Sequence, residues 1–152
     1  MKLRKLGHLK VSSIGMGSAG TFDTQNKEAI IIRRKIIDQC IIEKVTFIDS
    51  SPMYGHAEEV LGQVIEGRRE QFQLATKVWC SGKETGKQQI THSFNLLKSD
   101  YIDVLQIHNL VDWRTHLPYL EELKTNGKIG LIGLTYGYPD GLPEMMDIMK
   151  TG

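Results

Sequence analysis

Val45-Thr46-Phe47-Ile48-Asp49-Ser50-Ser51-Pro52-Met53-Tyr54-Gly55-His56-Ala57-Glu58-Glu59-Val60-Leu61-Gly62-Gln63-Val64-Ile65-Glu66-Gly67 holds one complete structural unit. Its first five residues, β-branched and aromatic, have the composition of a short strand. Ala57, Val60, Leu61, Val64 and Ile65 then recur at helical spacing and make one apolar face, and Gly67 supplies a stop. The same order repeats downstream. Phe72 to Lys77 reads as a strand, with Ile90, Phe94 and Leu97 marking the helix after it. Ile102 to His108 is a strand, followed by Leu117, Leu120 and Leu123 on a helix that ends at Gly127. Ile129 to Thr135 and Leu142 to Met149 form a fifth pair. Upstream, Ser12 to Met16 reads as the first strand and Ile30 to Ile42 as its helix, with Thr24 as N-cap. Met1 to Val11 is expected to form a small hairpin turning near Gly7-His8.

Five strand-helix units after a hairpin imply an α/β fold, a parallel sheet with helices outside it. Two architectures fit: a doubly wound open sheet, and a (β/α)8 barrel of the TIM type, incomplete here. Eight units typically take about 250 residues. The chain has 152 and reads as one domain, residues 1–152.

Composition narrows the function. Hydrophobic residues make up 40% and charged residues 24%, ordinary values for a globular domain. A net charge of +1 gives no field that would draw nucleic acid or an anionic membrane. Ala29 to Ile32 is the longest apolar run, far too short for a bilayer, and the N-terminus lacks the apolar stretch of a secretory signal. Cys40 and Cys80 show no metal-ligand or disulfide spacing. Together these point to a reduced, cytoplasmic protein. Cys40 fits a helix core. Cys80 falls in a loop, with nothing nearby in sequence to activate a thiolate.

Gly15-Met16-Gly17-Ser18-Ala19-Gly20 matches the G-x-G-x-x-G pattern of a dinucleotide loop. That loop needs a helix opening at the glycines, so that its N-terminus faces the pyrophosphate. Here Thr21-Phe22-Asp23-Thr24 intervenes before helical periodicity starts. The stretch therefore reads as a glycine-rich turn at a strand end, where backbone passes close to something that could be a ligand.

Buried parallel strands should be apolar, yet three consecutive ones end in Asp49, Lys77 and His108. The C-terminal strand ends carry the site in parallel α/β folds. Strand alternation puts Val45, Phe47 and Asp49 on one face, as it does Gln73, Ala75 and Lys77, and Val104, Gln106 and His108. If these faces point into a barrel, the three titratable residues cluster at its mouth, and the loop after Asp49 could add Tyr54. The chemistry would be specific. A free phenol ionises near about pH 10, too high for an efficient acid at neutrality, and a nearby ammonium favours its phenolate. Lys77 could be that ammonium and Asp49 its counterion, while a histidine could orient a substrate oxygen. Taken singly, each residue has a blander role: Asp as a helix cap, Lys solvated, Tyr packing, His structural. Their occurrence on successive units at one end of the sheet favours an active site, without naming its reaction.

Phe47-Ile48-Asp49-Ser50-Ser51-Pro52-Met53-Tyr54-Gly55, with Ala57-Glu58-Glu59-Val60-Leu61-Gly62, resembles the signature of the aldo-keto reductases. Ala75-Thr76-Lys77-Val78 and Asp103-Val104-Leu105-Gln106-Ile107-His108-Asn109 resemble that family's next two motifs, in order. The resemblance implies a (β/α)8 barrel, with an N-terminal hairpin over its bottom, that reduces aldehydes or ketones to alcohols with NADPH. It implies Tyr54 as proton donor, Lys77 as its electrostatic partner, Asp49 as partner of Lys77, and His108 as carbonyl orienter. It also implies cofactor contacts at Gly17, Ser18, Asp49 and Thr135, and no metal.

The chain departs from the family pattern in four places. The Gly7 hairpin turn is about two residues shorter than usual, Glu43-Lys44-Val45 lacks the common glycine before the second strand, and Tyr136 stands where Asn or His is common. The later strands, which carry the aromatic that stacks on nicotinamide and the basic groups for the adenosine 2′-phosphate, are absent from the sequence. The rival readings are a catalytically incompetent barrel fragment that acts only through association with another chain or itself, and an open-sheet nucleotide-binding module.

Overall fold

A computed structural model describes residues 1–150. Strands β1 (Leu3–Leu6) and β2 (Leu9–Ser12) pair antiparallel. Five parallel strands follow: β3 (Met16–Gly17), β4 (Phe47–Asp49), β5 (Gln73–Val78), β6 (Ile102–His108) and β7 (Ile129–Thr135). The helices are α1 (Lys27–Ile42), α2 (Ala57–Val64), α3 (Lys83–Leu96), α4 (Trp113–Thr125) and α5 (Leu142–Met149).

Strand order decides between the two architectures. The sheet runs β3-β4-β5-β6-β7, each strand beside its sequence neighbour. A doubly wound sheet reverses order at a switch point, and this one does not. Among the described residues it is a five-stranded part of a barrel wall. The first helix starts at Lys27, well past Gly20, so no helix N-terminus meets the glycine-rich turn and the dinucleotide-loop reading fails.

The two faces of the wall differ as alternation requires. Ile48, Leu74, Val78, Leu105 and Ile107 are at most 1% exposed and pack with Ile37, Val60, Leu61, Ile90 and Leu120 from the helices. The other face carries Asp49, Lys77, Gln106 and His108, with Leu131 near the start of β7. Gly7, at the hairpin tip, has φ +56°, and a Cβ there would lie 2.7 Å from a Leu131 methyl. The hairpin thus turns where expected and covers the bottom of the inward face.

Three local expectations need correction. Ser12–Met16 is not a continuous strand. Ser12 ends the hairpin, and its hydroxyl accepts from Thr46 N at 2.9 Å, standing in for a ladder partner; only Met16–Gly17 pairs with β4. The cap of α1 is Asn26, whose Oδ1 accepts from Ala29 N at 3.0 Å, while Thr24 Oγ1 accepts from Asn26 N instead. Asn caps as well as Thr, and sits where its side chain reaches the first turn. The strand at Val45 begins only at Phe47, because the Val45 N–H donates back to Cys40 O.

That last bond belongs to a helix stop built without glycine. Lys44 N–H donates to Ile41 O and Val45 N–H to Cys40 O, with Lys44 at φ +57°. This is a Schellman motif. The end of α3 repeats it with Lys98 at φ +50°, donating to Asn95 O while Ser99 N–H donates to Phe94 O. Each lysine accepts a left-handed conformation that costs about 1–2 kcal/mol relative to glycine.

Among the described residues no helix is long and apolar enough to cross a membrane.

Candidate active site at the strand ends

Asp49, His108 and Thr135 are the last residues of β4, β6 and β7, and Lys77 is the last but one of β5. All four lie on the inward face. Lys77 is the centre of the group. It is 3% exposed, and its ammonium donates to Asp49 Oδ1 and Oδ2 at 2.8 Å each and to the Ser50 carbonyl at 2.6 Å. Three acceptors for three protons compensate the charge for its burial.

Tyr54 reaches the group from the loop after β4. Its N–H donates to Ser51 O, and its carbonyl accepts from Ala57 N, which ties the loop to the start of α2. The ring lies half-buried with Lys77 Nζ 5.1 Å from its centroid. Ammonium and phenol are therefore neighbours.

His108 stands across from them. Burial depresses its pKa below the usual histidine value, and the Lys77 ammonium lowers it further against the opposing Asp49 carboxylate. The ring is accordingly neutral at neutral pH. Its Nδ1 lies 2.6 Å from Thr135 Oγ1, which also accepts from Asn109 N at 3.2 Å.

The glycine-rich turn contributes differently from its two residues. Gly17 pairs with Asp49, and a Cβ built on it meets nothing within 4 Å, so a flat group could lie against its backbone. Ser18 is fully buried. Its N–H donates to Asp49 O, its carbonyl accepts from Phe22 N and its hydroxyl donates to Ser50 Oγ at 2.9 Å. Ser18 thus fastens the turn to β4, beneath the mouth.

Glu58 was legible only as part of a motif, yet it braces the site from behind. It is 1% exposed on the first turn of α2; its carboxylate accepts from the Thr76 and Ser93 hydroxyls. Thr76 adjoins Lys77 on the helix side of β5, so Glu58 joins the helix following Tyr54 to the strand carrying Lys77. A sequence signal existed: Glu58 falls on the apolar face with Leu61 and Ile65. Burial raises its pKa above the ordinary value of 4.5, opposed by the two hydroxyl bonds and by His92 and Lys77. The unfolded chain therefore loses this proton at lower pH than the folded chain. The stability involved is fully present below the ordinary carboxylate value and is lost as pH rises through the raised one. In Glu58→Gln, thermal unfolding between about pH 4 and 8 is expected to lose that falling limb, since an amide can still bond both hydroxyls. Glu58→Ala strands two buried hydroxyls, each worth about 1–3 kcal/mol. An unchanged pH dependence in Glu58→Gln would show that another group sets the limb.

The cysteines stay outside this chemistry. Cys40 is buried on α1, and burial raises the thiol pKa of both; Asp112 raises that of Cys80 further. Neither is poised as a thiolate. Among the described residues no group of three or more His, Cys, Asp or Glu could hold a metal ion.

Comparison with known proteins bears on the fold and the family. The aldo-keto reductase YhdN of Bacillus subtilis is 32% identical over 84% of this chain and 44% of its own length. The holo aldo-keto reductase AKR11C1 of Bacillus halodurans superposes with a TM-score of 0.81 at 27% identity, over 97% of this chain and 54% of that one. An aldo-keto reductase of Klebsiella pneumoniae, solved in complex with NADPH, gives a TM-score of 0.73 at 28% identity, over 93% of this chain and 50% of that one. The chain spans about half the length of the curated relatives it matches. The model of the Aldo/keto reductase family matches residues 13–151, and the chain belongs to that family.

Proposed function

We propose that this chain forms the catalytic wall of an NADPH-dependent reductase of aldehydes or ketones, acting in the cytoplasm on a small carbonyl substrate. The observation that carries the reading is the buried Lys77 ammonium, paired to Asp49 and set against the Tyr54 ring. The bound cofactor supplies a hydride. Gly17, Ser18, Asp49 and Thr135 are the residues of this chain that would hold the cofactor, Thr135 toward the nicotinamide, while Ser18 also fastens the turn to β4. A carbonyl that received this hydride would become an alkoxide, which would need a proton and a hydrogen-bond donor. Tyr54 gives the proton, with Lys77 stabilising the phenolate left behind. Asp49 holds the Lys77 ammonium in place. His108, neutral, orients the carbonyl oxygen.

A second reading rests on a separate observation. Beside β7 lies a cleft of about 850 Å³ lined by Leu131, Ile132, Leu134, Met145, Ile148 and Met149. Among the described residues β7 has no strand on its outer edge. Open edges and apolar clefts favour association, so the chain on its own is expected to self-associate and to bind NADPH weakly. Size-exclusion chromatography and NADPH fluorescence titration of the 152-residue chain, beside a version extended to its relatives' length, test both readings. The extended protein should bind NADPH and reduce a simple aldehyde. Failure of the extended protein to bind NADPH would favour the non-catalytic reading. A monomeric short chain with micromolar affinity would overturn the role given to the open edge.

A further inference from the structure

We propose that Asp23 is a positioning residue. Its carboxylate braces the Tyr54 loop against the segment that follows the glycine-rich turn, and so fixes the phenol toward Lys77. The catalytic meaning of this brace rests on the carbonyl-reductase reading; the brace itself rests on geometry alone.

Thr21-Phe22-Asp23-Thr24 separates the glycines from α1, and this intervening stretch is what reaches the donor loop. Asp23 Oδ1 accepts from the His56 N–H at 2.9 Å, across 33 positions. Gly55, just before His56, has φ +59°, and a Cβ built on it would overlap the Asp23 carboxylate. Only a residue without a side chain takes this conformation freely and lets the carboxylate come so close. Tyr54, Gly55, His56 and Ala57 form one tight turn, closed by the Ala57 N–H donating to Tyr54 O at 3.1 Å. Tyr54 opens this turn, so the placing of the turn aims the phenol.

The other bonds of the loop are local. Tyr54 N–H donates to Ser51 O and Met53 N–H to Ser51 Oγ. Such bonds shape the loop without setting where it stands over the barrel. Ser50, at the base, is tied to Ser18, Lys77 and Ala75. Beyond it, among the described residues, the Asp23 bond is the one hydrogen bond by which residues 51–56 reach outside the segment 50–60.

Asp23 is exposed, yet its backbone is held on both sides. Phe22 is fully buried and its N–H donates to Ser18 O, while Arg33 Nε on α1 donates to Thr21 O at 2.6 Å. A negative charge also suits the start of α2, where backbone N–H groups lack partners within the helix. The outcome is a staple at two points, Ser18 to Ser50 and Asp23 to His56. The turn assigned to the cofactor and the loop assigned to the proton donor are thereby joined along their length.

Amide hydrogen exchange on the 152-residue chain, resolved to single residues, reads the brace without activity or cofactor. Asp23→Ala is expected to speed exchange at His56 by about tenfold, the order set by one hydrogen bond to a charged group. Exchange at Tyr54 should rise with it, because the whole turn is released, while the amides of β5 and β6 keep their rates. Asp23→Asn should restore most of the protection, since its amide oxygen still accepts. An unprotected His56 amide in the unaltered chain overturns the proposal, even if the alanine variant fails to fold. So does an Asp23→Ala chain that loosens evenly throughout, or at neither His56 nor Tyr54. In the extended protein, Asp23→Ala should lower kcat by about 10–10²-fold, the scale of a reacting group displaced by about an ångström. KM for NADPH should stay unchanged, and Asp23→Asn should recover most of the rate. Added to Tyr54→Phe, Asp23→Ala should cost nothing further, because its effect passes through the phenol. An equal loss in both backgrounds overturns the positioning role. An extended protein that reduces no carbonyl, with the exchange pattern intact, would remove the reductase reading and leave the brace standing.

Discussion

Tyr54→Phe, in a version of the chain extended to its relatives' length, is expected to cut carbonyl reduction by about 10²–10⁴-fold, the usual worth of a positioned proton donor. The substitution is narrow. The ring that packs 5.1 Å from Lys77 Nζ is retained, so the contact between cation and ring face survives. Lys77 keeps Asp49 and Ser50, neither of which involves the phenol. Only the hydroxyl is lost, and with it the proton delivered to the developing alkoxide. NADPH affinity should therefore hold within about twofold, because nothing assigned to binding is touched. Loss in kcat with unchanged NADPH binding is the pattern of an interaction made in the transition state alone. Steady-state kinetics with a simple aldehyde decides it. Full activity in Tyr54→Phe would remove the phenol from the mechanism and leave His108 as the candidate donor.

The strand ends were legible because they break a rule. An apolar parallel strand that terminates in Asp49, Lys77 or His108 carries a polar residue where burial predicts none, and alternation then puts all three on one face. Strand order was not legible from the alternation of elements, which both candidate architectures share; the family resemblance implied the barrel, and the pairing of β3 through β7 agrees with it. Details set by tertiary partners were also hidden. Ser12 leaves the first strand because its hydroxyl bonds Thr46, 34 residues away. Asn26 and Thr24 are both good caps, and only the path of the chain chooses between them. Lys44 and Lys98 stop helices in a conformation their side chains disfavour, which composition alone does not announce. Ser18 matched a cofactor motif, yet its hydroxyl donates to Ser50, a contact no spacing rule encodes. Tyr54 stands apart: a loop tyrosine has no periodicity to betray it, and the motif Asp49-Ser50-Ser51-Pro52-Met53-Tyr54 carried that assignment.

Removing either member of the Asp49–Lys77 pair should destabilise the chain unequally, with Asp49→Ala worse than Lys77→Met. The pair is asymmetric: the Lys77 side chain is 4% exposed and that of Asp49 34%. Deleting the carboxylate leaves a buried ammonium with the Ser50 carbonyl as its remaining neighbour from this network. Stranding a buried charge costs about 3–5 kcal/mol, and the partial exposure of Asp49 puts this case near the lower figure. Deleting the ammonium is milder. Methionine fills much of the same volume, and Asp49 can hydrate through its exposed third, so a cost of roughly 1–2 kcal/mol is expected from the lost charged hydrogen bonds. The double variant strands no charge and should be more stable than Asp49→Ala alone, a non-additivity that a mutant cycle measures directly. Urea unfolding of the four proteins, compared at constant slope, gives the numbers. A Lys77→Met variant at least as unstable as Asp49→Ala would mean that the Asp49 carboxylate and Ser50 carbonyl left without their donor cost as much as a stranded ammonium, so that the difference in exposure does not set the order. If the expected order holds, a folded Lys77→Met protein with its Tyr54 ring in place separates electrostatics from architecture. Its extended form should then bind NADPH yet reduce carbonyls poorly, because the phenolate formed on proton transfer has lost the cation beneath it.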